Sequence, residues 1–97
     1  MPVKPKLIWD YGAVDDLSKI REFIETHNKK AALNAAQRII KSASLLLDNP
    51  YLGRPLEDMP EFNELFIPFG QRGYVMRYRV DNKKIIILRI WHSREDR

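Results

Sequence analysis

Apolar residues recur along this chain with two different periods, and the change of period divides it. Lys6-Leu7-Ile8-Trp9 follows two prolines and reads as a short strand. Leu17, Ile20, Phe23 and Ile24 then repeat at three- and four-residue spacing, the stripe of an amphipathic helix. Asp10 stands where an N-cap belongs, and Asp15 and Asp16 lie in or near the first turns, where negative charge is favoured. Thr26-His27-Asn28 breaks the pattern. Asn28 is positioned to cap a second helix beginning at Lys29 or Lys30. That helix places Ala32, Ala35, Ala36, Ile39, Ile40, Ala43, Leu46 and Leu47 on one side, and its alanines let two helices approach closely as an antiparallel hairpin. Asn49-Pro50 ends it, because proline disfavours helical backbone in the residue before it.

Residues 49–61 contain Pro50, Gly53, Pro55 and Pro60 and read as loop. Beyond them the period becomes two. Phe62–Phe69 is an aromatic-rich strand ending at the turn Gly70-Gln71-Arg72-Gly73. Tyr74–Val80 is the next strand, Asp81-Asn82 supplies a tight turn that tolerates positive φ, and Lys84–His92 is the last strand. The expected architecture is α+β: a small, antiparallel-rich sheet of about four strands in the order β-α-α-β-β-β, with the helical hairpin packed on one face.

Successive strand residues point to opposite faces. Met76, Tyr78, Leu88 and Ile90 are expected against the helices. Arg77, Arg79 and Arg89 then share the uncovered face, with Trp91 beside them. By the same parity His92 follows Ile90 toward the covered side, at the end of its strand.

Length and composition narrow the class. Ninety-seven residues make one domain, spanning 1–97. The chain has 44% hydrophobic and 31% charged residues, near the globular average. It has no cysteine, which excludes a disulfide scaffold, a thiolate zinc site and a cysteine nucleophile. Two histidines without cysteine make no zinc site, and dispersed glycines make no phosphate loop, so neither metal nor cofactor is expected. The longest apolar run, Ile85-Ile86-Ile87-Leu88, is far short of a membrane span, and Met1–Lys6 lacks a signal-peptide core. A cytoplasmic protein without a membrane partner is the expectation.

The net charge of +4 identifies nothing, but its distribution is informative. Residues 48–64 hold Arg54 against five carboxylates, a net of −4. Residues 70–94 hold seven cations against Asp81, a net of +6, and five of the seven are arginines suited to phosphate or carboxylate. A basic face with an aromatic can meet phosphates and stack a base. Alternatively, the arginines pair with Glu57, Asp58, Glu61 and Glu64 of the acidic loop. His92 has two readings as well: a general acid or base, or a hydrogen-bonded closure of the sheet edge.

Trp9, the helix-borne Asp16-Leu17, Asn49-Pro50-Tyr51-Leu52-Gly53-Arg54-Pro55, Tyr78-Arg79-Val80 and Ile87-Leu88-Arg89-Ile90-Trp91-His92-Ser93-Arg94 together resemble the RelE/ParE superfamily, the toxins of bacterial type II toxin–antitoxin modules. The resemblance covers nearly the whole chain in order. It implies a helical hairpin on one face of a small sheet, growth arrest, a role in plasmid stabilisation, and a cognate antitoxin with an acidic, partly disordered segment.

The superfamily carries two activities. ParE-like members poison DNA gyrase. RelE-like members cleave mRNA on the ribosome, with basic side chains supporting the scissile phosphate. In the nuclease reading, His92 and Arg89 are the catalytic candidates, and His92 matches a histidine that serves catalysis in some members. Arg72, Arg77, Arg79, Trp91 and Arg94 are the candidate target-binding residues in either reading. Val75 stands where several nucleases carry arginine, and Ser93 follows His92 where some carry tyrosine. The Asn49–Pro55 loop and the Met76–Val80 strand are more similar to ParE-like members. The resemblance therefore favours gyrase, with mRNA cleavage as the alternative and an inactive basic binding module as the third reading.

Overall fold

The computed structural model describes residues 5–95. The elements run β1 (Lys6–Trp9), α1 (Tyr11–Glu25), α2 (Lys29–Leu45), β2 (Arg54–Pro55), β3 (Phe62–Phe69), β4 (Arg72–Asp81) and β5 (Lys84–His92). The strands form one sheet in the order β1-β5-β4-β3-β2, with β1 parallel to β5 and the other pairs antiparallel. The helices share one face, α1 over β5 and α2 over β3. This is the expected α+β layout with one strand more. Arg54–Pro55, inside the segment read as loop, pairs with Glu64 and Asn63. A two-residue strand has no period to detect.

Local signals explain most boundaries. The Asn28 side chain accepts from Ala31 N at 3.0 Å and caps α2. Asp10 has cap geometry, but its side chain makes no cap bond. Its backbone does the work: the carbonyl accepts from Ala13 and Val14, and the amide donates to Ile87 O at 2.9 Å. Asp15 and Asp16 fall beyond the first turn. Asn82 adopts φ 47° in the β4–β5 turn, as its residue type permits.

The core gathers Ala13, Ala35, Ile39 and Ala43 from the helices and Leu46 just after α2 with Ile67, Met76, Tyr78, Ile85, Ile87 and Ile90 from the sheet. Two helix assignments differ from the periodic reading. Phe23 is 73% exposed and Ile40 is 47% exposed. Both lie at the margins of their apolar stripes, where the neighbouring layer ends.

The larger correction concerns β5. Arg77 pairs with Arg89, but Tyr78 pairs with Ile87, so Leu88 is an extra residue opposite no partner. Such a bulge switches the side-chain parity of its strand. Ile85 and Ile87 before it and Ile90 after it are therefore all buried under the helices, whereas Leu88 is only half-buried. Strict alternation placed Leu88 in the core and Ile85 and Ile87 outside. The bulge reverses that while leaving Arg89 and Trp91 on the uncovered side.

Candidate functional site

Register across the open face places Arg54, Glu64, Arg77 and Arg89 in one row over four strands. The next row holds Phe62, Arg79, Ile86 and Ile8, and the one beyond it Asp81, Lys84 and Lys6. Six cations thus share this face with Glu64 and Asp81. The expected basic surface is present, and most of its arginines are engaged.

Arg77 donates from Nε and Nη2 to Glu64 Oε2 at 3.0 and 2.7 Å. Its guanidinium lies 5.1 Å from the centre of the Trp91 ring, within cation–π range. Trp91 faces the same side as its partner Val75 and is 5% exposed. Arg79 Nη2 sits 3.8 Å from Asp81, while its Nε is buried without a hydrogen-bond partner among the described residues. Of the acidic segment, Glu64 is the residue that meets Arg77, so one of the anticipated loop pairings is realised across strands.

Arg89 takes a different path. β1 covers β5 only from Lys84 to Ile87, so beyond that point the outer edge of β5 has no strand neighbour among the described residues. Asp16 of α1 stands in the gap. Its Oδ2 accepts from Ile90 N at 2.8 Å and from Arg89 Nε at 2.8 Å, and its Oδ1 accepts from Arg89 Nη2 at 3.1 Å. One carboxylate thereby satisfies a strand-edge amide and turns the arginine over the edge. The Asp16 bonds raise the Arg89 pKa further above its usual value, so the guanidinium stays charged.

The remaining candidates lie elsewhere. His92 pairs with Tyr74 on the helix-covered side, as parity indicated, and their rings meet edge to face at 5.4 Å. Its Nδ1 accepts from Arg94 N at 3.1 Å, so a neutral His92 carries its proton on Nε2. Arg72 shares the covered side with Tyr74 at the far end of β4, and Arg94 lies in the turn after β5. Arg77, Arg79, Arg89 and Trp91 are thus brought to one face, whereas His92, Arg72 and Arg94 gather at the sheet end on the other. A groove of about 610 Å³ runs beside that end, between α1 and β5, lined by Ile20, Phe23, Phe69, Tyr74 and His92 among others.

The sequence reading named Asp16 and Gly53 without the contacts they make, and anticipated Glu64 as an arginine partner. Asp16 had a readable signal: a carboxylate at the i+3 position after buried Ala13, inside an apolar stripe, and it is 8% exposed. Gly53 N donates to Tyr78 Oη at 2.9 Å, and a Cβ on Gly53 would sit 2.5 Å from Glu64 O. Only glycine permits that approach, which ties the Asn49–Pro55 loop to the sheet. Among the described residues, no group of three or more His, Asp or Glu side chains is placed to hold a metal, and no helix is long and apolar enough to cross a membrane.

The similarities to known proteins agree with this geometry. The chain is 37% identical over 82 residues to Toxin RelE3 of Caulobacter vibrioides, covering 84% of this chain and 87% of that protein. It is 30% identical to Toxin RelE1 of the same organism, covering 84% and 86%. The fold resembles the chromosomal ParDE toxin–antitoxin system of P. aeruginosa, with TM-score 0.76, 29% identity and coverage of 92% of this chain and 96% of that one. It also resembles the toxin–antitoxin complex RelBE2 of Mycobacterium tuberculosis, with TM-score 0.65, 22% identity and coverage of 93% and 99%. The family model for the ParE toxin of the type II toxin–antitoxin system parDE matches residues 7–97. With that match over nearly its whole length, on a sheet and helical hairpin of the same build, the chain belongs to the ParE toxin family of type II toxin–antitoxin systems, within the RelE/ParE superfamily.

Proposed function

We propose that this toxin arrests growth by binding a protein target, DNA gyrase, and that an antitoxin with an acidic, partly disordered segment neutralises it by covering the basic sheet face. The likeness to ParDE and RelBE2 assemblies supports the antitoxin partner. One observation supports the choice of a protein target: Arg77 lies across the sheet from His92, and Arg89, turned over the sheet edge, is held there by Asp16. In RNA cleavage the 2′-OH attacks the adjacent phosphate, and charge grows on the phosphate oxygens and the leaving 5′-oxygen. A proton donor and cations must meet on that one phosphate. Here Arg77 is held by Glu64, Arg89 by Asp16, and the imidazole by Tyr74 and the Arg94 amide.

A ribosome-dependent mRNA endoribonuclease is the second reading, favoured by the RelE names of the two Caulobacter relatives. The deciding experiment uses the purified chain in a gyrase supercoiling assay, with primer extension on mRNA after induced expression. Inhibited supercoiling, intact mRNA and unchanged arrest by His92→Ala are expected. Ribosome-dependent mRNA cuts that vanish in His92→Ala would sink the gyrase assignment.

A further inference from the structure

The outer face of α2 is a cationic surface distinct from the open sheet. Lys29, Lys30, Arg38 and Lys41 are all of its charged residues, and it carries no carboxylate. None of these four forms an ion pair among the described residues, although Arg38 donates to Pro68 O at 3.1 Å. Large apolar side chains stand exposed among them: Leu33 at 53%, Ile40 at 47% and Leu45 at 46%. At 3.6 residues per turn, Leu33, Ile40 and Ser44 form one strip, with Lys30, Gln37 and Lys41 on the adjacent strip. Leu33 and Ile40 lie seven residues apart, about 10 Å along the axis.

We propose that this face docks an acidic helix of the target protein, one bearing apolar residues at a seven-residue repeat flanked by Asp and Glu. The inference rests on the protein-target reading above and adds to it the surface and the partner's chemistry. Charge complementarity selects an acidic partner, because four cations without a carboxylate repel a basic one and steer an acidic one. The exposed Leu33 and Ile40 select a helix over a nucleic acid: phosphates answer the lysines but leave the apolar strip in water, whereas a partner helix with a seven-residue repeat covers it and reaches the flanking lysines. The seventeen-residue α2 offers about 25 Å of axis, enough for about two such repeats with flanking charges.

Two variants test this: Lys30→Glu with Lys41→Glu, and Leu33→Ser with Ile40→Ser. All four positions are exposed, and circular dichroism with antitoxin binding checks that each variant folds. Each is expected to raise the concentration that half-inhibits gyrase supercoiling by at least about tenfold and to relieve growth arrest, while Lys30→Arg with Lys41→Arg preserves both. Folded variants that inhibit and arrest like the unmodified chain overturn the proposal. Loss in the charge variant alone, with the serine variant fully active, also overturns it and points to nucleic acid. If the unmodified chain arrests growth without inhibiting gyrase, the gyrase assignment falls by itself. The α2 surface is then decided by arrest: loss in both variants upholds it, and retention in either rejects it.

Discussion

Replacing Asp16 by alanine removes its bonds to Ile90 N and to Arg89, whose consequences differ. The amide of Ile90 belongs to a residue that is 1% exposed, and its strand edge has no strand neighbour among the described residues beyond Ile87. Leaving such a donor unsatisfied costs about 1–3 kcal/mol. The two bonds from Arg89 involve a side chain that is 48% exposed, so solvent screening holds their contribution to about 0–1 kcal/mol. The expected total is about 3 kcal/mol, a large share of the ~5–15 kcal/mol that stabilises a domain of this size. At ~4–8 °C per kcal/mol, Asp16→Ala should melt on the order of 15 °C below the unmodified chain. Asp16→Asn keeps an acceptor for Ile90 N and should lose about 1 kcal/mol. Arg89→Ala leaves the Asp16–Ile90 bond in place and should lose about 0–1 kcal/mol. Thermal melts by circular dichroism check the ordering, and hydrogen exchange at the Ile90 amide reports the edge directly. A melting point for Asp16→Ala within ~3 °C of the unmodified chain, or equal losses in Asp16→Ala and Arg89→Ala, would refute the strand-edge argument.

Gly53→Ala drives a Cβ to within 2.5 Å of Glu64 O, a backbone atom of β3, so the loop must shift and the β2 pairing with it; a loss of about 2 kcal/mol or more is expected in urea denaturation. Tyr78→Phe removes the acceptor for Gly53 N without changing the core volume, and should cost about 1 kcal/mol by the same measurement, less than Gly53→Ala. Burial raises the pKa of both Tyr74 and Tyr78 above the ordinary 10.0, with the Gly53 bond opposing the shift at Tyr78. The unfolded chain releases these protons first. Stability is therefore undiminished below pH 10 and falls as pH rises beyond it; melts across pH 8 to 11 should show the decline, reduced in Tyr74→Phe.

The engaged arginines bear on how an antitoxin would compete. Arg77 and Arg89 each already hold a carboxylate of this chain, Glu64 and Asp16. An acidic segment arriving on the open face exchanges one carboxylate for another at those positions. It gains most at the cations that form no ion pair among the described residues, Arg54, Lys84 and Lys6 on the face, and at Arg79, whose Nε has no hydrogen-bond partner among them. Charge complementarity there chiefly sets the rate of encounter and the selectivity of the pairing.

Periodicity and local chemistry were sufficient for the helical hairpin, the Asn28 cap, the Asn82 turn and the three long strands, because each depends on residues within a few positions of one another. The same reasoning located the basic hairpin and put Arg77, Arg79 and Arg89 on one face. What it missed depends on distant partners. The bulge at Leu88 is a property of the β4–β5 register, invisible to a strand read by itself, and it moved Ile85 and Ile87 into the core. The bond between Asp16 and Ile90 joins residues 74 apart and arises only because β1 stops at Trp9. Sequence alone thus determined which elements form and which surface is basic, since both follow from local pattern and charge. Tertiary structure decided which arginines are held, by which carboxylates, and which isoleucines of the last strand enter the core, because those outcomes follow from strand register and from where one neighbouring strand ends.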